Sequence, residues 1–163
     1  MGIPQSCLLI VDVQVGFINK HTEHIPKLVE VEQYKYDHVA VTRFFNPENS
    51  PFRSLIKWDR FGVGSNDVAL AFPPKDKVLI IDKPIYSCVT ASFIEWLRNR
   101  SISIVYVCGV DTDICVTKCA VDLFENGFEP VVLSGMCASH AGLEAHNSAL
   151  ITLRRYIGTS QVR

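Results

Sequence analysis

Two hydrophobic rhythms alternate along this chain. At 7–13 (CLLIVDV), 38–44 (HVAVTRF), 77–82 (KVLIID), 102–108 (ISIVYVC) and 129–133 (EPVVL) the apolar residues run almost without interruption. Such short runs are the pattern of strands that a parallel sheet buries on both faces. Between them the spacing changes to threes and fours. Phe93, Ile94, Trp96 and Leu97 give an apolar side to a helix at 90–99, and Val116, Cys119, Ala120, Leu123 and Phe124 give one at 113–125. Leu143, Leu150, Leu153 and Ile157 do the same for 141–156, which Gly158 closes. A less regular pattern at 26–36 predicts a short helix, and a short sixth strand fits 161–163.

Strands that alternate with helices predict an α/β protein: an open, mostly parallel sheet of five to six strands with helices on both faces. One stretch breaks the rhythm. From 45 to 76 the chain is punctuated by Pro47, Pro51, Gly62, Gly64, Pro73 and Pro74, with a helix-like piece at 54–58. An irregular segment of this length in a small domain is often a lid or a substrate wall.

The 163 residues fit a single domain, 1–163, with 48% hydrophobic and 20% charged residues, a globular composition. Sixteen basic residues against 17 acidic leave a net charge of −1, which gives no electrostatic reason to expect nucleic acid or an anionic membrane as partner. No apolar run approaches the ~20 residues of a membrane span. The opening MGIPQSCLLIVD has no basic region ahead of its apolar run, so no secretory leader is expected. The six cysteines form no CxxC pair, and several fall in apolar patterns, which points to a cytoplasmic protein with reduced thiols.

Chemistry enters with Cys115. It follows a polar turn, 109–113, between the fourth strand and the next helix, where unpaired backbone N–H groups and the helix dipole favour thiolate over thiol. Asp113 works in the opposite direction. Asp12 and Lys83 also end strands, and ligands of open parallel sheets bind beyond that edge. Taken alone, Asp12 reads as a strand-end cap and Lys83 as a solvated loop lysine. Their shared edge with Cys115 favours a joint role: Asp12 as general base and then acid, Lys83 as a cation beside the thiol, Cys115 as nucleophile. Asp82 is expected to point away, and Cys108 and Cys119 to be core. Gln14, Phe17, Phe44, Asn46, Trp58 and Tyr86 are candidates to line a substrate pocket, whereas His140 and His146 read as surface or capping residues.

Four motifs, VDVQVGF at 11–17, TRFFN at 42–46, DKPIYS at 82–87 and CGVDTDICVTKCAVDLFENGF at 108–128, span most of the chain. In that order they resemble the isochorismatase-like cysteine hydrolases, a superfamily that includes nicotinamidases, N-carbamoylsarcosine amidohydrolases and ureidoacrylate amidohydrolases. The resemblance implies a Rossmann-like three-layer fold and a catalytic triad of Asp12, Lys83 and Cys115. It also implies a cis peptide at Val110-Asp111, with the N–H groups of Asp111 and Cys115 as an oxyanion hole. Assembly as a homo-oligomer, a dimer or a tetramer, is implied as well.

The metal-dependent nicotinamidases carry an Asp-x-His arrangement after the second strand, where this chain reads Arg43-Phe44-Phe45-Asn46. No catalytic metal and no cofactor are therefore expected, and the substrate is expected to be a small amide, carbamoyl or ureido compound other than nicotinamide. Isochorismatases proper lack the cysteine, so Cys115 argues against vinyl-ether hydrolysis. Ester or vinyl-ether hydrolysis on the same fold remains the alternative enzyme reading. A non-catalytic signalling or small-molecule-binding domain is disfavoured, because the first strand supplies one acid where a magnesium pocket needs a pair. A nucleotide site is disfavoured too, since the turn at 13–17 has no glycine cradle.

Overall fold

The computed structural model describes residues 5–163, so the first four residues of the opening segment read for a leader lie outside it. Five strands, β1 (Gln5–Val11), β2 (His38–Phe44), β3 (Leu79–Lys83), β4 (Ile102–Val110) and β5 (Glu129–Ala138), form one sheet in the order β3-β2-β1-β4-β5. All four pairings are parallel. β1 is central, and Cys7 to Val11 are wholly buried, as their unbroken apolar run requires.

The chain steps outward from β1 to β2 and β3, then returns to the other side of β1 for β4 and β5. The helix α1 (Ile25–Glu32) lies between β1 and β2, α3 (Ala91–Arg98) between β3 and β4, and α4 (Thr117–Glu125) between β4 and β5. α1 packs on β4 and β5, α3 on β4 and α4 on β5. The order reverses between β1 and β4, and a crevice opens at the carboxyl ends of such a strand pair. Asp12 follows β1 directly, and Asp111 follows β4.

Several boundaries differ from those predicted. β1 stops at Val11, because Asp12 takes a left-handed conformation (φ 48°) that leaves the sheet. No sixth strand forms among the described residues. Gly158 (φ 100°) turns the chain into a 3-10 turn at Thr159–Gln161, and Val162 makes only an isolated bridge to Val132. The predicted helix at 113–125 is two elements: a wide π-type turn, Thr112–Val116, and then α4. Phe124 and Leu143, assigned to buried stripes, are exposed. Leu143 is the first residue of α5 (Leu143–Ile157), ahead of the part that packs, whereas Leu150, Leu153 and Ile157 are buried.

The irregular stretch after β2 is well tied down. Its helix, α2 (Pro51–Ser54), lies earlier than the predicted 54–58, because Ser50 caps the Arg53 N–H (3.2 Å) and Pro51 fits the first helical position. The Asn46 amide donates to the carbonyls of Trp58 and Arg60 (both 2.9 Å), Arg60 pairs with Asp67 (2.7 Å), and Leu70 bridges Gln14. These ties fold the stretch over the carboxyl edge of the sheet.

Candidate active site

Three chain segments meet beyond that edge. Asp12 is held by a reciprocal pair of bonds with Thr42 on β2. Its N–H donates to Thr42 Oγ1 (3.0 Å), and Thr42 Oγ1 donates to Asp12 Oδ1 (2.6 Å). Asp12 Oδ2 accepts from Lys83 Nζ at 2.7 Å, and both residues are buried (0% and 3% side-chain exposure). Lys83 Nζ also donates to the carbonyls of Ile85 (3.1 Å) and Tyr86 (2.9 Å), in the turn that Pro84 starts. Cys115 Sγ lies 3.8 Å from Lys83 Nζ.

Burial works against the Lys83 charge, but the Asp12 carboxylate outweighs it and holds the ammonium above its ordinary pKa. The effect on Cys115 is the reverse. Burial first, and then the Asp12 charge, push its thiol well up, while Lys83 pulls more weakly the other way. Beside the Asp12–Lys83 ion pair the Cys115 thiol is thus biased toward its protonated form. That corrects the expectation that the helix terminus alone would favour thiolate. The Cys115 backbone lies in the wide turn and not at the first turn of α4, and the side chain is 5% exposed.

The Val110–Asp111 peptide bond is cis. Val110 is wholly buried, and the Asp111 side chain accepts from the backbone N–H of His140 (2.8 Å) and contacts His140 Nδ1. Asp111 and Cys115 both line a cavity of about 170 Å³. Its walls are aromatic: Phe17, Phe44, Phe52, Trp58 and Tyr86, with Ile56 and Ile114. Phe44 stacks on Trp58 (5.7 Å between centroids), and Phe52 meets Phe44 and Tyr86 edge-on (both 5.0 Å).

Of the expected pocket residues, Phe17, Phe44, Trp58 and Tyr86 line this cavity, whereas Gln14 and Asn46 do not. The Gln14 amide is wholly buried and spent on scaffold. It accepts from the Phe44 N–H (2.7 Å) and donates to the carbonyls of Phe44 and Val68 (both 3.0 Å). Asn46 fixes the Trp58–Arg60 segment and accepts from the Ser50 hydroxyl. Both are polar because loop backbone needs partners, a reason indistinguishable from ligand binding in a sequence.

His140, expected as a surface or capping residue, is partly exposed and also lines the cavity. β5 runs five residues past its apolar stretch, which carries the chain to the same edge where the other site residues stand. Phe52, Ile56 and Ile114 were also missed; only the length of the irregular stretch hinted at the first two.

A metal does not fit these residues. The Asn46 amide is already bonded at both ends within the fold, and Phe44 has no donor atom to offer in its side chain. Among the described residues no three His, Cys, Asp or Glu side chains are placed to share an ion.

A mostly aromatic cavity thus lies at the switch point of a five-stranded parallel sheet, with Cys115 in its wall and the Lys83–Asp12 pair beside that thiol. The isochorismatase domain family matches residues 6–161, and the chain belongs to that family. It is 27% identical over 155 residues to isochorismatase family protein 1B of Dictyostelium discoideum, covering 92% of this chain and 69% of that one. Over 82 residues it is 38% identical to the uncharacterized isochorismatase family protein PncA of Bacillus subtilis, half of this chain and 44% of that protein.

Its fold is shared with a pyrazinamidase/nicotinamidase from Streptococcus mutans (TM-score 0.83, 24% identity, 98% and 100% of the two chains). It is shared likewise with a Pyrococcus horikoshii pyrazinamidase whose structure was determined with zinc (TM-score 0.81, 21% identity, 98% of each chain).

Proposed function

We propose that this protein is a metal-independent cysteine hydrolase that cleaves the C–N bond of a small amide with an apolar acyl body. One observation carries the reading: the Cys115 thiol lines an aromatic-walled cavity and lies 3.8 Å from the Lys83 ammonium, which is itself paired with the Asp12 carboxylate. The amidase names of the structural relatives are consistent with it, and so is the family.

In this reading Asp12 takes the Cys115 proton as Sγ attacks the amide carbonyl. The N–H groups of Asp111 and Cys115 hold the oxyanion, a contribution worth ~2.7–4 kcal/mol per donor. Asp12 then passes the proton to the departing nitrogen, and the C–N bond breaks to leave a thioester. Water, deprotonated by Asp12, adds to the thioester carbonyl. The acid departs, and Cys115 recovers its proton from Asp12. Lys83 remains charged throughout and orients the carboxylate. The raised thiol pKa requires a base at this point, and the Asp12 carboxylate serves as one.

The cavity walls favour acyl groups that need little hydration. A ureido group, polar on every side, would lose its water without gaining a full set of partners there. The test is release of ammonia from a panel of small aliphatic and aryl amides, with ureido acids and aryl esters alongside. Expected are turnover of apolar amides by the wild type in the presence of a chelator, and a loss of about 10⁴-fold or more in Cys115→Ala. Wild-type turnover retained in Cys115→Ala would end the thioester mechanism. Turnover of the esters alone would favour the alternative bond.

A further inference from the structure

His140 stands apart from the rest of the cavity wall. The other side chains there are aromatic or aliphatic, apart from Asp111 and Cys115. Its Nδ1 is occupied by Asp111 Oδ2, its backbone N–H by Asp111 Oδ1, and its ring lies 5.7 Å from that of Phe17. Its side chain is 42% exposed while that of Asp111 is 3% exposed, so the imidazole stands at the rim with its anchor below. The Asn19 side-chain amide holds the same residue by donating a hydrogen bond to the His140 carbonyl (2.8 Å). An imidazole fixed through Nδ1 keeps Nε2 as its second polar atom, and protonation makes that atom a donor.

We propose that His140 is a specificity-determining residue, whose Nε2–H binds a carboxylate carried by the apolar body of the substrate, remote from the scissile amide. A charge-assisted bond at the rim permits the apolar body to enter the aromatic walls while the anion stays near water. The preferred substrates are then half-amides of compact aryl or alkyl dicarboxylic acids. This deepens the amide-hydrolase reading in its turnover arm; the binding arm of the test stands without it.

The groups that set the charge of His140 are known. Asp111 holds its proton most strongly, burial opposes this, Asp113 adds to it, and Arg60 from the long irregular stretch works against it. The segment at 15–24 presents Phe17 and Asn19 to it, neither of them charged. His140 therefore stays protonated to a higher pH than a free imidazole. Above that point Nε2 becomes an acceptor and repels a carboxylate.

Two probes of one shape test the proposal: 3-carbamoylbenzoate and 3-methylbenzamide. Wild type should favour the carboxylate in kcat/KM by about tenfold or more at pH 6, chiefly through KM, and this preference should shrink as pH rises through the His140 titration. His140→Phe should lose the preference and its pH dependence while still hydrolysing 3-methylbenzamide. His140→Gln, which keeps a neutral donor, should fall between them. The same pair is to be titrated into Cys115→Ala in a Trp96→Phe background, with Trp58 fluorescence as the readout.

A carboxylate preference in binding that disappears in His140→Phe supports the proposal even if neither amide turns over, in which case only the hydrolase reading fails. Equal binding of the two probes, a preference unchanged in His140→Phe, or no binding of either would overturn it.

Discussion

Lys83 and Asp12 form an ion pair sealed from solvent, and their removal should be sharply non-additive. Both Asp12 oxygens and the Lys83 ammonium have partners in the fold. Lys83→Met leaves the carboxylate buried without its cation, which is expected to cost about 3–5 kcal/mol in urea unfolding. The double variant Asp12→Asn/Lys83→Met should recover most of that loss, because the uncompensated charge is gone. Cys115 gives a second residue-scale prediction. All six cysteines are buried, but Cys115 is the one that lines the aromatic cavity and lies beside a carboxylate base. Limited iodoacetamide at neutral pH, mapped by peptide mass spectrometry, should label Cys115 ahead of Cys7 and Cys137. Equal rates at the three thiols would remove the case for a nucleophile. The three residues could be picked out in the sequence, since Asp12 and Lys83 stand at strand ends and Cys115 follows the turn after a strand. Their protonation was not, because the helix-terminus argument that favoured thiolate is outweighed by burial among groups distant along the chain.

At the scale of elements, the site depends on how closely β1 and β4 approach at their carboxyl ends. Val11 and Gly109 are register partners, and Gly109 has φ 116°. A Cβ at Gly109 would lie 2.2 Å from the Val11 carbonyl oxygen, a backbone atom that cannot rotate away. Gly109→Ala should therefore destabilise by roughly 3 kcal/mol or more and reduce activity with it. Gly135 on β5 provides the control: a Cβ there meets nothing within 4 Å, and the backbone needs no positive φ. Gly135→Ala should change stability by less than about 0.5 kcal/mol. Thermal unfolding of the two variants checks both. Strand existence and order along the chain were readable from apolar runs. The ends were less so, because β5 continues through 134–138 where the apolar run has already lapsed. That extension is what brings His140 to the cavity.

For the whole molecule, the buried thiols set a direction for alkaline stability. Burial pushes Cys7 and Cys137 up to about 12, and drives Cys108 and Cys115 well up as well. In the unfolded chain a thiol ionises near 8.5. Between those values the unfolded state binds fewer protons than the native state, so stability must fall as pH rises. The contribution is intact below about pH 8.5, and each such thiol removes up to ~1.4 kcal/mol per pH unit above it. Urea midpoints should decline from pH 8 to pH 10, and more gently in Cys7→Ala/Cys137→Ala than in wild type. A decline of equal slope in the two proteins would contradict the assignment. No helix among the described residues is long and apolar enough to cross a membrane.

The order of strands and helices, the family and the three residues that meet beyond the sheet edge were all contained in the sequence, because they follow from local hydrophobic rhythm and from motifs at strand ends. Tertiary structure alone decided what surrounds those positions. It spent Gln14 and Asn46 on loop backbone and folded residues 45–78 into an aromatic wall. It also kept the Cys115 thiol protonated and turned His140 toward the site. Each of these outcomes depends on contacts between residues tens of positions apart, whose burial and pairing no local pattern encodes.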